Sequence, residues 1–188
     1  MEDTLELNLP VQEEAPKRSK ARANDRPLLK ELGLLGIKIA IIAALFAFVF
    51  TFIYGFNSVR DADMAPMVKD GDITMFFRLD KDYVIGDLAV VDFQGEHQVR
   101  RVIAKAGDVV DITDDGLKVN GALLQELDIY QKTRRYEGGV SFPLTVGEGQ
   151  VFVLGDAREN ATDSRIYGPV NTKDTLGTVI TVIRQRHF

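Results

Sequence analysis

Ile39 to Phe56, IAIIAALFAFVFTFIYGF, is a run of eighteen residues without a charge. As a helix rising ~1.5 Å per residue it would be about 27 Å long, close to the hydrocarbon thickness of a bilayer. The run has no polar face, which a helix lying on a soluble core would need. A fully buried core helix is the competing reading. The span can begin at Leu34 if Lys38 reaches back toward the headgroups, and Tyr54 suits the far interface. Residues 34–56 are therefore expected to form a transmembrane anchor in contact with lipid. Seven Lys/Arg fall between Lys17 and Lys38, and only Arg60 and Lys69 follow the run closely. That asymmetry places the N-terminus in the cytoplasm and residues 57–188 outside, in a single-pass cell-membrane protein. A cleaved signal peptide is the rival. The basic region is long for one, and YGFNSVRDAD has no small-x-small cleavage site. Residues 1–33, acidic and then basic, with Pro16 and Pro27, read as a mobile cytoplasmic tail.

Beyond Phe56 the pattern changes. ITMFF, LAVVDF, QVRRVIAKA, VVDIT, LKVNG, QVFVLG and GTVITVIRQR are short runs rich in β-branched and aromatic residues. Gly71-Asp72, Gly86-Asp87, Gly107-Asp108, Asp115-Gly116 and Gly155-Asp156 punctuate them as turns. No helical period follows Phe56. The expected fold class is mostly β: one N-terminal transmembrane helix and an extracytoplasmic antiparallel β domain, partly coiled into a barrel. The net charge of -5 gives no basic surface for nucleic acid. The chain has no cysteine, which excludes disulfides, thiolate metal sites and a cysteine nucleophile. No ligand spacing points to a metal, and no cofactor is implied.

Four stretches after the apolar run carry a family likeness. They are DMAPMVKDGD (63–72), VIGDLAVVDF (84–93), VRRVIAKAGDVVDITDDGLKVNG (99–121) and GDARENATDSRIYGPV (155–170). With the anchor, and in this order, they resemble the membrane-anchored type I signal peptidases. The last stretch keeps Gly155, Asp156, Arg158, Asp163, Ser164 and Arg165 of the family pattern. The resemblance covers the chain from the anchor to the C-terminus.

What the resemblance implies for the chemistry is a loss. The family uses a serine nucleophile and a neutral lysine as general base. Asp63 stands at the serine position and Arg100 at the lysine position. Arginine stays protonated and cannot act as a base. The residue two before the nucleophile helps form the oxyanion hole in the family. Here it is Asp61, whose charge would oppose a developing oxyanion where a donor is worth ~3–4 kcal/mol. The Ser or Gly that supports the lysine is Ala161, and the Asn before Arg158 is Ala157. Asp63 and Arg100 occupy positions that touch in the family, so they are expected to form a hydrogen-bonded ion pair. Two charges solvated in an open cleft are the alternative. Asp163 and Arg165 are expected to form a structural ion pair.

Other residues have less specific readings. Asp61 and Asp63, two apart on an extended segment, could face one side as a carboxylate dyad. Ser58 reads as linker, Ser141 as a turn, Ser164 as structural, and His97 as an exposed residue at a strand entry; His187 is penultimate. By resemblance, a peptide would lie as an added strand between Asp61–Ala62–Asp63–Met64 and Gln98–Val99–Arg100. Met64, Met75, Phe76 and Phe77 would give it apolar contact, or else serve as ordinary core. Signal-peptidase-like proteins with an aspartate for the serine and no lysine are associated with pilus gene clusters of Gram-positive bacteria. The resemblance thus implies a non-catalytic assembly factor whose partners are pilins or other secreted preproteins, with sortase. An active signal peptidase with unusual chemistry and a regulator that sequesters preproteins from an active paralogue are the alternatives.

Overall fold

The computed structural model describes residues 25–184. The mobile tail expected for residues 1–33 falls largely outside them, as does His187. The described residues divide into two compact units between Ile42 and Ala43.

The first helix, α1, runs from Asp25 to Phe48 and continues into a π-helical turn, Val49–Ile53. Pro27 sits in its first turn, where a missing N–H costs nothing. Its apolar side chains are exposed all round, Leu34, Ile41 and Phe46 among them. Pro27–Ile53, 27 residues, is the one helix among the described residues long and apolar enough to cross a membrane, a test that an anchor or a signal sequence passes equally. Two boundaries differ from the expectation. The helix starts nine residues before Leu34, because Leu28, Leu29 and Leu32 extend the apolar surface past Lys30 and Glu31. It also stops before Tyr54. Tyr54, Gly55 and Phe56 instead pair with Phe77, Phe76 and Met75. A Cβ at Gly55 would overlap the Phe76 ring, so glycine permits that approach.

The remaining chain is antiparallel β-structure. Its strands are β1 (Tyr54–Ser58), β2 (Ile73–Phe77), β3 (Leu88–Phe93), β4 (Glu96–Lys105), β5 (Val109–Thr113), β6 (Gly116–Val119), β7 (Ala122–Leu123), β8 (Leu144–Thr145), β9 (Gln150–Leu154), β10 (Val170–Asn171) and β11 (Thr175–Ile183). A single helical turn, α2 (Ser164–Tyr167), lies between β9 and β10. One sheet has the order β1-β2-β11-β3-β4-β9-β10, and a second has β7-β6-β5-β8. The apolar runs that alternate in sequence become these strands because alternate residues face the core. Ile103, Val110, Ile112, Leu117, Phe152 and Leu154 form one cluster, which joins β4 and β9 of the first sheet to β5 and β6 of the second. Val59, Met64, Val68, Phe76, Val90 and Val99 form another beneath the loop after β1.

Three of the Gly-Asp pairs close turns by one repeated device. The carboxylates of Asp72, Asp87 and Asp108 accept the N–H of the residue three earlier, Lys69, Val84 and Lys105, at 3.0, 2.8 and 2.9 Å. The glycine before each has positive φ, between 86° and 101°.

Two features of pairing position the site. First, β1 is an edge strand. Second, β4 pairs with β3 along Glu96–Arg101, but β9 covers only Arg101–Lys105 of its other side. The first half of β4 therefore has an open edge.

Phe152 is fully buried and meets Phe142 edge to face at 6.0 Å. Phe152→Ala is expected to cost about 3–5 kcal/mol, read as a lowered denaturation midpoint of the detergent-solubilised chain.

Candidate functional site

A cavity of about 530 Å3 lies between the two open edges, lined by Phe56, Asn57 and Ser58 of β1 and by Gly95, Glu96, His97 and Gln98 at the start of β4. Arg60, Asp61, Asp63, Arg100 and Thr162 complete it. Its floor is an ion-paired cluster. Arg100 is completely buried, whereas the side chains of Asp61 and Asp63 remain 29% and 18% exposed. Arg100 Nη2 donates to Asp63 Oδ2 at 2.5 Å, and Nη1 lies 3.4 Å from Asp61 Oδ2. The same guanidinium donates through Nη1 to the Val99 carbonyl at 2.6 Å and through Nε to the Thr162 carbonyl at 2.9 Å. Thr162 returns its N–H to Asp63 Oδ2 at 3.0 Å. Burial raises the Asp63 carboxyl above its ordinary pKa; Arg100 and the Thr162 N–H pull it partly back.

The loop that carries Asp63 is held from behind. The Asp63 carbonyl accepts the Ala157 N–H at 2.8 Å. A Cβ at Gly155 would overlap the Ala161 Cβ and lie 2.7 Å from the Asp63 carbonyl oxygen, so glycine lets the two segments approach. Asp163 fixes the other end of this segment. It accepts the Gly155 N–H at 3.0 Å and pairs with Arg165 Nη2 at 2.7 Å and Nε at 2.9 Å. Arg165 also stacks its guanidinium over the Tyr136 ring at 4.5 Å. Asp156 forms a two-point pair with Arg101, at 2.8 and 2.6 Å.

Of the residues singled out in the sequence, Asp61, Asp63, Gln98 and Arg100 line the cavity, together with Ser58 and His97. Met64 and Val99 are instead core residues, 0% and 1% exposed, and Phe76 joins them. Ala161 is buried behind Gly155, and Ala62 faces solvent. The segment around Asp61 and Asp63 is not extended. It forms consecutive turns, in which the Asp63 N–H bonds Asp61 Oδ1 at 3.0 Å, the Ala65 N–H bonds the Ala62 carbonyl and the Val68 N–H bonds the Met64 carbonyl. The shared arginine, not strand alternation, brings the two carboxylates together. Ser58 is the last residue of β1 rather than linker. Ser164 is buried, with Oγ accepting the Val153 N–H at 3.0 Å. Thr162, Asn57 and Glu96 were not singled out, since only long-range pairing brings them here. Asn57 Nδ2 and Gln98 Oε1 are buried at this cavity without a hydrogen-bond partner among the described residues.

Chemically, Arg100 holds a permanent charge and donates to three residues besides Asp63, so it does not take up a proton. No hydrogen bond joins Ser58 to His97 among the described residues, and no lysine lines the cavity.

The sequence pattern of the family "Signal peptidase, peptidase S26" matches residues 32–183. The chain belongs to that family. It is 30% identical over 155 residues to a signal peptidase I of Bacillus licheniformis, across 76% of this chain and 83% of that protein. It is 31% identical over 141 residues to signal peptidase I T of Bacillus subtilis, across 68% and 72%. A crystal structure of a signal peptidase I from Enterococcus faecalis aligns at 29% identity and a TM-score of 0.43, over 53% of this chain and 97% of that one.

Removing one partner from a buried pair strands the other. Arg100→Met is expected to destabilise the chain by about 3 kcal/mol. Adding Asp63→Ala should return at least about 1 kcal/mol, as a coupling term in a double-mutant denaturation cycle. Strict additivity would mean that the pair is not energetically coupled.

Proposed function

We propose that this chain is a signal-peptidase family member that holds secreted polypeptide without cleaving it. The observation that carries the reading is the Asp63–Arg100 pair, placed by resemblance at the serine and lysine positions of the family. A hydrolytic pair needs a nucleophile and a partner that accepts its proton. Here the partner is a buried guanidinium, which remains a donor. Asp61 adds a carboxylate where a donor would stabilise an oxyanion.

The same site keeps a place for an extended chain, though shifted from the expected one. The carbonyls of Ala62, Asp63, Met64 and Val99 are all taken by internal hydrogen bonds. The free edges are Phe56–Ser58 and Glu96–Gln98, and a peptide between them would add a strand to each. The apolar helix anchors the domain in the membrane, N-terminus in the cytoplasm and residues 57–188 outside, where exported chains emerge. By resemblance to the aspartate-bearing subgroup, the held polypeptide is a pilin, and the setting is pilus assembly with sortase.

The test is mass-spectrometric detection of cleavage by the detergent-solubilised chain, with a pilin preprotein and a preprotein carrying an Ala-x-Ala signal peptide. The expected result is no product above the Asp63→Ala background, with the preprotein still retained. Cleavage by the wild type that disappears in Asp63→Ala or Ser58→Ala would replace this reading with that of an active peptidase.

A further inference from the structure

The cavity presents only one half of its ion pair. Arg100 is sealed beneath, with no exposed side-chain surface, while the carboxylates of Asp61 and Asp63 face outward. Their acceptor capacity is not used up. Asp63 Oδ2 takes Arg100 Nη2 and the Thr162 N–H, and Asp63 Oδ1 receives no hydrogen bond among the described residues. Asp61 Oδ1 takes the Asp63 N–H, and Asp61 Oδ2 has only the 3.4 Å contact to Arg100. Beside them, two amide atoms await partners. Asn57 is 7% exposed, and its Nδ2 is an unpaired donor. Gln98 Oε1 is an unpaired acceptor. The other charged side chains of the lining, Arg60 and Glu96, are exposed and of opposite sign, and His97 is also exposed.

A peptide laid between the free edges would cover these oxygens. Under an apolar side chain they would lose water and gain no partner in return. An ammonium brings three donors and a positive charge. A metal ion would want more carboxylate or imidazole ligands than are gathered here; no group of three is poised for one among the described residues.

We propose that the cavity selects a basic side chain on the extended polypeptide, with its cation held against the Asp61 and Asp63 carboxylates and the neighbouring peptide groups held by Asn57 and Gln98. This rests on the reading of the site as a peptide holder and names its specificity. The ion pair then acts as a recognition element: Arg100 fixes the carboxylates from below, and their free oxygens read the ligand from above.

The test is calorimetric titration of the full chain in detergent micelles with three blocked nonapeptides of alternating serine and valine, identical except for lysine, norleucine or glutamate at the centre. The lysine peptide is expected to bind about tenfold tighter than the norleucine peptide, and the glutamate peptide weakest. In Asp61→Asn the lysine advantage should collapse, the lysine peptide weakening and the norleucine peptide tightening toward a common value, with an unchanged denaturation midpoint reporting an intact fold. Equal binding of lysine and norleucine peptides by the wild type overturns the selectivity and leaves peptide holding in place. A lysine advantage that survives in Asp61→Asn and in Asp61→Asn/Asp63→Asn overturns it too, by locating the preference elsewhere. Binding of none of the three overturns both the selectivity and the peptide-holding reading beneath it.

Discussion

Three guanidinium groups buried in the β domain set the terms for much of its outer loop structure. Arg100, Arg158 and Arg165 are the largest fully buried side chains. A buried charge is tolerable only if it is paired and its donors are met. Arg165 takes Asp163 and the carbonyls of Arg158 and Arg134. Arg158 takes both oxygens of Glu126, the Thr133 hydroxyl and the Gly155 carbonyl. Arg100 takes Asp63 and the carbonyls of Val99 and Thr162. Four of these acceptor residues, Gly155, Arg158, Thr162 and Asp163, and two of the three arginines themselves lie in the segment between Gly155 and Arg165. That segment has little regular structure of its own, only the single turn of α2 at its end. Its path is determined by what the arginines need.

This explains why the loop bearing Asp61 and Asp63 is placed so definitely although it contains no strand. It is gripped at Met64 by the core, at the Asp63 carbonyl by the Ala157 N–H, and at the Asp63 carboxylate by Arg100 and Thr162. Each grip is modest alone. Together they hold a carboxylate at the floor of a cavity between two free strand edges, which strand pairing alone would not have done.

Much of the fold was legible because it depends on local pattern. ITMFF, LAVVDF and VVDIT coincide with β2, β3 and β5, and Gly71-Asp72, Gly86-Asp87 and Gly107-Asp108 fall at turns where aspartate caps the residue three earlier; Asp156 of Gly155-Asp156 instead pairs with Arg101. What escaped depends on distant partners. β1 was absorbed into the apolar run, because YGF reads as a helix end until Phe76 and Phe77 are placed beside it. The two-residue strands β7, β8 and β10 carry no period at all. At the site, the proximity of Asp63 and Arg100 could be inferred from family resemblance. Thr162, which bonds both, lies 99 residues from Asp63 and has no signal in the sequence. Met64 was ambiguous between groove and core; the Pro66 turn and Val68 carry it inward.

The geometry of the pair also separates two uses of one scaffold. A serine–lysine pair works because its lysine can be held neutral and take the serine proton, leaving the serine oxygen free to attack. The Asp63–Arg100 pair is organised the opposite way. Its cation is permanent and sealed, and its anion is tied through Oδ2 while Oδ1 remains open to the cavity. Such an arrangement moves no proton, and on the proposal made above it acts by discriminating what covers it. An uncharged ligand must desolvate the carboxylates without compensation, whereas a cationic one completes them. On the reading proposed here, the same pair that removes hydrolysis gives the groove its selectivity, so the two properties would be gained or lost together at Asp63 and Arg100.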